Sequence, residues 1–117
     1  MCSVQQKSKF GMDKVTNFQE CLKKALQEYA ESIPKNKGYT YQTIFDTEGQ
    51  HYLILEIGWE NGVRIHRVLL HFDIIDEKIW VQENRTEEEF EEYFEEFAIQ
   101  EEDIFIGYLQ PKEVVLG

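Results

Sequence analysis

Three consecutive strands joined by two tight turns are predicted for residues 45–83, FDTEGQHYLILEIGWENGVRIHRVLLHFDIIDEKIWVQE. Apolar and aromatic side chains dominate Gln50–Trp59 and return in Val63–Phe72, with Asn61-Gly62 between them. An Asn-Gly pair between two apolar runs is the strongest short-range signal of a β-hairpin. These residues therefore predict antiparallel strands at the centre of the domain.

Two further strands extend the predicted sheet. Asp76-Glu77 reverses the chain into Lys78–Glu83, and Tyr39–Asp46 alternates in polarity before a turn in which Gly49 is expected to allow a positive φ. On the second strand, the apolar residues share one face, which we expect to meet the helices: Leu53, Leu55, Ile57 and Trp59. The third strand alternates less cleanly, which indicates either a β-bulge or burial on both sides.

Two amphipathic helices should cover the sheet. Apolar residues recur at helical spacing over residues 13–32, and Pro34 ends that pattern. A second helix is predicted over residues 87–98, opened by a capping box of Thr86 and Glu89. The predicted core contains Phe18, Leu22, Leu26, Leu53, Leu55, Phe90, Phe94 and Phe97. With a short last strand at residues 104–109, the fold class is α+β: a four-stranded antiparallel meander, an N-terminal helix and a C-terminal helix.

The chain of 117 residues, 42% of them hydrophobic, suits a single globular domain. We assign residues 12–111 to this domain, residues 1–11 to an N-terminal extension and residues 112–117 to a tail. No apolar run is long enough to span a membrane, and the first residues lack the pattern of a secretory signal. Two cysteines without metal-ligand spacing favour reduced thiols, so a cytoplasmic protein is expected.

Negative charge is concentrated in one segment. The chain has a net charge of −11, and residues 83–103 hold eleven acidic side chains against Arg85 alone. Such a field repels phosphate, which disfavours direct nucleic-acid binding, and attracts a basic protein. The predicted second helix places a row of carboxylates on its outer side: Glu88, Glu91, Glu92 and Glu95. This row is either a docking site for a basic partner or simply a solvated surface.

Few residues are candidates for a catalytic, metal-binding or partner-binding site. His71 and Asp73 are two positions apart on the third strand, so both side chains should point the same way, as a base with its orienting carboxylate or as two metal ligands. A histidine near the end of a strand is more often an ordinary hydrogen-bonded residue than a catalytic or metal-binding one. Trp59, Arg64, His66 and Trp80 are candidates for a partner-binding surface on the sheet, although packing would also account for the tryptophans. Without a complete catalytic, metal or phosphate-loop motif, we expect no enzyme activity, cofactor or metal.

A family resemblance comes from motifs in Phe45–Phe90. The chain has FDTE, HY, GW followed by a turn, RI, H-x-D-I, D-x-KIW-x-Q and TEE in that order, then EDI at Glu102–Ile104 and Gly107, and MDK at Met12–Lys14. With these motifs the chain resembles the XisI family, the small fdxN-element excision controlling factors of cyanobacteria. The resemblance spans Met12–Pro111. After Pro111 the chain reads KEVVLG, which differs from the basic, Arg-containing tail that the resemblance implies.

The resemblance implies an accessory protein in the programmed excision of a DNA element during heterocyst differentiation. The partner that it implies is XisH, which resembles an endonuclease, while the recombinase is a separate protein. Two alternatives stay open: an antitoxin-like acidic inhibitor of a nuclease outside excision, and a small enzyme that uses His71 and Asp73. Because an open sheet has unpaired edges and this one has few protecting prolines or charges, we also expect a homodimer.

Overall fold

The computed structural model describes residues 13–34 and 38–109. The predicted extension at residues 1–11 and the tail at residues 112–117 lie outside these described ranges. The elements follow in the order α1 (Lys14–Ser32), β1 (Thr40–Asp46), β2 (His51–Glu60), β3 (Val63–Ile75), β4 (Lys78–Asn84), α2 (Glu91–Glu96) and β5 (Ile104–Ile106), with a 3₁₀ turn at Glu101–Asp103 before β5.

Helix α1 starts one residue after the predicted start and ends at the predicted residue, because both ends are encoded locally. Asp13 caps the N-terminus, since its carboxylate accepts a hydrogen bond of 2.7 Å from the backbone N–H of Thr16. Ile33 has an extended backbone, as expected for a residue before Pro34. The buried stripe of α1 consists of Asn17, Phe18, Cys21, Leu22, Ala25 and Leu26, the spacing of one helical face.

The predicted meander is confirmed, with β1 to β4 paired antiparallel in sequence order. Asn61 and Gly62 both have positive φ, 53° and 79°, as a two-residue type I′ turn requires. Asp76 and Glu77 form the second reversal with φ values of 53° and 59°. The first turn differs from the prediction, because the positive φ of 64° belongs to Gln50, which follows Gly49.

The short last strand is also present, although it covers only Ile104–Ile106 of the predicted residues 104–109. It pairs with β4 in parallel, placing Phe105 opposite Trp80. The result is a five-stranded mixed sheet of order β1-β2-β3-β4-β5, with β1 and β5 at its edges. The fold is therefore α+β, as predicted.

The prediction for the core face of β2 was wrong. Tyr52 and Ile54 are fully buried, whereas Leu53 and Leu55 lie on the opposite face and are only half-buried. The cause is Glu56, which occupies the core side and makes that side look polar in the sequence. Its carboxylate is buried and accepts hydrogen bonds of 2.7 Å from Arg67 Nε and 3.1 Å from the Tyr41 hydroxyl.

The predicted capping box and length of the second helix were also wrong. Helix α2 covers only Glu91–Glu96, and no side chain caps its first turn. Thr86 is held instead in a loop, where Asn84 Oδ1 accepts hydrogen bonds from its backbone N–H and its hydroxyl at 2.9 and 2.6 Å. The Thr86 hydroxyl then accepts from the Glu88 N–H at 3.1 Å, a local turn that competes with helix formation.

Both helices pack on one face of the sheet, where they form a single hydrophobic core. From the predicted core, Phe18, Leu22, Leu26, Phe90, Phe94 and Phe97 are buried there, beside Tyr52, Ile54, Leu70, Phe72 and Ile79. Burial in this core raises the pKa of the Cys21 thiol to about 12, which keeps it protonated. Within the described ranges, neither helix combines the length and apolarity needed to cross a bilayer.

Candidate functional site

The other face of the sheet, which we call the open face, carries a cluster of two histidines and one aspartate. His51 Nδ1 lies 2.7 Å from Asp73 Oδ1, and His71 Nε2 lies 2.8 Å from the same oxygen. His71 and Asp73 point the same way, as their spacing predicts. His51 was not among the candidates from the sequence, yet it is directly opposite Asp73 in the β2–β3 pairing.

A β-bulge brings His51 and Asp73 together. The turn at Asn61-Gly62 pairs Glu60 with Val63. Without a bulge, each step back along β2 would match one step forward along β3, and His51 would pair with Phe72. The register shifts by one at Ile54/Leu55, where Leu69 is the additional residue on β3. The uneven alternation of the third strand indicated a bulge or two-sided burial, and the bulge is what the structure contains.

Hydrogen bonds shift the pKa values of His51 and Asp73. The bond to Asp73 raises the pKa of His51. Burial alone would raise the pKa of Asp73, but hydrogen bonds from His51, His71 and Gln82 outweigh burial and lower it. The Gln82 amide donates to Asp73 Oδ2 at 3.2 Å, so both carboxylate oxygens accept hydrogen bonds.

Two glycines provide space around the cluster. A Cβ at Gly107 would lie 2.5 Å from Gln82 Oε1, and a Cβ at Gly49 would lie 2.9 Å from the His51 ring. Either atom would push a side chain of the cluster or its support out of place. The predicted positive φ at Gly49 was wrong, and a side chain at this position would require the His51 ring and the Asp46 carboxylate to move.

The cluster offers two imidazoles and a carboxylate, which suit proton transfer or metal binding. Among the hydrogen bonds of the described residues, neither imidazole is bonded to a hydroxyl or a thiol. These bonds therefore include no nucleophile that a histidine could activate. His51 and His71 are accessible, with 50% and 28% of their side chains exposed, whereas Asp73 is 11% exposed. A ligand can thus approach from the open side of the sheet.

The aromatic and basic candidates on the sheet also lie on the open face. Trp59 pairs with Arg64, whose guanidinium carbon is 5.4 Å from the indole centroid, a cation–π contact. Trp59 is 56% exposed, and the exposed His66 is the next open-face residue along β3. Trp80 is separate from these three, because it stacks edge-on against Phe105 with centroids 4.9 Å apart.

The predicted acidic row contributes to a groove beside α2. Glu88, Glu91 and Glu95 line this groove of about 730 Å³, which we call the acidic groove, together with Glu89 and Glu101. Its apolar lining includes Phe72, Val81, Phe90, Phe94, Ile99 and Ile104. Glu92 is exposed outside the groove lining. Among the ion pairs of the described residues, none involves Glu88, Glu91, Glu92 or Glu95.

The architecture defines the class of the protein as a small α+β domain with two helices on one face of a mixed five-stranded sheet and an open opposite face. The family model described as XisI protein matches residues 12–115. The chain belongs to the XisI family.

Two solved structures are similar to this chain. A XisI-like protein from Anabaena variabilis is 36% identical, with a TM-score of 0.77, and the match covers 85% of this chain and 91% of that one. The fdxN element excision controlling factor XisI from Anabaena variabilis is 25% identical, with a TM-score of 0.73, covering 86% and 98% respectively. Among curated proteins, none matches this chain.

Proposed function

We propose that this protein is a non-catalytic accessory factor that controls excision of a DNA element by binding a basic, nuclease-like protein in the cytoplasm. Family membership supports the excision role, because a relative of the same fold is named as the fdxN element excision controlling factor. The observation that carries the proposed mode of action is the acidic groove, which combines exposed carboxylates with an apolar lining.

The groove suits a protein better than it suits DNA. Residues 83–103 have a net charge of −10, which opposes the approach of a phosphate backbone. A basic protein segment gains from the same field, and apolar side chains between its lysines or arginines can contact the groove lining. Unpaired carboxylates at the rim are available for such contacts without first breaking an ion pair.

A XisH-like protein, which resembles an endonuclease, is the partner that fits this chemistry. A protein that binds DNA presents basic side chains to phosphate, and an array of carboxylates can compete for those side chains. Binding at the acidic groove would therefore regulate access of the partner to DNA. This mode of action needs no reaction on the part of the XisI-family protein.

The experiment is a binding measurement between this chain and a purified XisH-like protein. Replacement of Glu88, Glu91, Glu92 and Glu95 by Gln should leave the fold intact, since all four side chains are exposed. It should weaken binding by at least about tenfold, because several rim carboxylates lose their charge together.

A matched control separates local docking from total charge. Replacement of Glu20, Glu31, Glu48 and Glu77 by Gln removes the same charge from exposed positions outside the groove. We expect this control variant to keep most of the affinity. Equal losses in the two variants would contradict docking at the groove, and capture of an unrelated nuclease with no binding to the XisH-like protein would favour the antitoxin-like alternative.

A further inference from the structure

The three chemically active side chains of the open face meet the geometric needs of a metal site. His51 Nδ1, His71 Nε2 and a carboxylate oxygen of Asp73 lie within 4.8 Å of one another. Tetrahedral zinc sites have metal–ligand distances of about 2.0–2.2 Å, which places their ligand atoms about 3.4 Å apart. The two nitrogens, 2.7 and 2.8 Å from Asp73 Oδ1, need only small side-chain movements to hold an ion between the three groups.

We propose that His51, His71 and Asp73 form a binding site for a divalent first-row transition metal ion such as Zn²⁺. In the part of the chain that the structure describes, they are the one such group of potential ligands. Two imidazoles and one carboxylate favour zinc and its neighbours over magnesium or calcium, which prefer sites made of oxygen ligands. Three protein ligands leave a position for water or another ligand, on the side from which His51 is exposed.

The surroundings of the cluster would hold these ligands in place. Asp73 is anchored from β4 by the Gln82 amide, and Gly107 leaves room for the Gln82 side chain in this position. The His51 ring packs above Gly49 in the turn that precedes β2. Such outer contacts orient metal ligands and commonly change metal affinity by about 10–100-fold when they are removed.

The chain contains a matched control, since His66 is its third histidine and lies on the same open face outside the cluster. The test titrates ZnCl₂ into the untagged, chelator-treated full chain near neutral pH by calorimetry. We expect one Zn²⁺ per chain, no comparable binding of CaCl₂ or MgCl₂, and a loss of affinity of at least about tenfold in His51→Ala and His71→Ala. His66→Ala should bind as the unchanged protein does.

A second measurement guards against a variant that fails to fold. His51 is exposed, so His51→Ala should keep the circular dichroism of the unchanged protein, and Zn²⁺ should raise the melting temperature of the unchanged protein and His66→Ala but not of His51→Ala. Replacement of Zn²⁺ by Co²⁺ should give the visible absorption of a tetrahedral site. Absence of saturable Zn²⁺ binding, or equal binding by folded His51→Ala and the unchanged protein, would overturn the proposal and leave a purely hydrogen-bonded cluster.

Discussion

At the scale of single residues, Ala98 is held in a conformation that favours glycine. Its φ is 56°, and it follows α2 in a Schellman motif, with Ala98 N–H donating to Glu95 O at 3.0 Å and Ile99 N–H to Phe94 O at 2.8 Å. The left-handed conformation costs an L-residue about 1–2 kcal/mol, and glycine avoids this cost. The greater conformational freedom of glycine in the unfolded state cancels part of that gain in stability. We therefore expect Ala98→Gly to raise the free energy of unfolding by about 0.5–1 kcal/mol.

Urea unfolding of Ala98→Gly and of Ala30→Gly tests this point. Ala30 is in helix α1, where the same substitution should cost about 0.5–1 kcal/mol. Opposite signs at the two positions are expected. Destabilisation at both positions would contradict the backbone strain that we infer at Ala98.

Asp103 links stability to pH. Burial alone would raise the pKa of Asp103, but hydrogen bonds from Lys78 at 2.9 Å and Lys14 at 3.3 Å outweigh burial and lower it. Because the carboxyl of Asp103 has a lower pKa in the folded state, the folded state binds fewer protons than the unfolded state. The contribution of Asp103 to the free energy of unfolding is therefore complete above the ordinary aspartate pKa of about 3.9. It is lost as pH falls through the lower pKa of the folded state.

Asp103→Asn should therefore lower the free energy of unfolding by about 1–2 kcal/mol at neutral pH. This is less than the usual contribution of charged hydrogen bonds, because both lysines are partly solvated. The difference from the unchanged protein should shrink below about pH 4. Chemical unfolding of both proteins between neutral pH and pH values below about 4 measures this difference in free energy. A difference that is the same at neutral and acidic pH would show that the ionised carboxylate is not responsible.

At the scale of elements, the two faces of β2 make opposite contributions to stability. Ile54 is fully buried against the helices, whereas its neighbour Leu53 is half-buried on the open face. Ile54→Ala should cost about 2–5 kcal/mol, and Leu53→Ala at least about 1 kcal/mol less, because a partly solvated site leaves a smaller cavity. Denaturant midpoints of the two variants decide the point, and a larger loss for Leu53→Ala would contradict the assigned core face.

Local signals in the sequence were enough for some elements. The Asp13 cap, the apolar spacing and Pro34 define α1, and Asn61-Gly62 defines the central hairpin, because each signal acts on the backbone within a few residues. The limits of α2 depend instead on competing contacts of Asn84 with the Thr86 backbone and hydroxyl. Such competition is not encoded in helical periodicity, which explains why the predicted helix was too long.

The histidine–aspartate cluster was also predicted only as far as local signals in the sequence reach. The shared direction of His71 and Asp73 follows from a spacing of two in a strand, but the contribution of His51 depends on a one-residue shift of register. The sequence indicated a bulge without giving its position. The buried Glu56 likewise reversed the apparent polarity of β2, since its partners Arg67 and Tyr41 come from neighbouring strands.

At the scale of the whole molecule, the open face bears the apolar side chains that were expected in the core. Leu53, Leu55 and Ile57 lie there, with the exposed Ile44 and Trp59 nearby in the β1–β2–β3 pairing. A sheet face of this kind favours association with a second copy. We predict a concentration-dependent dimer in sedimentation velocity, weakened by Trp59→Glu.

Tyr108→Glu is the control for that dimer, because Tyr108 is 53% exposed but lines the acidic groove. This variant should associate as the unchanged protein does. A monomer at all concentrations would contradict self-association, and equal weakening by the two substitutions would contradict the choice of the open face.

Docking of a basic partner at the acidic groove should make the rate of association with a XisH-like protein depend on ionic strength. Attraction between separated charges is screened beyond about 8–10 Å at 0.1–0.15 M salt, so the rate should fall as salt rises. The variant with Gln at positions 88, 91, 92 and 95 should associate more slowly at low salt and with a shallower salt dependence than the matched variant at positions 20, 31, 48 and 77. Superimposable rates for the two variants and the unchanged protein at low salt would contradict docking at the acidic groove.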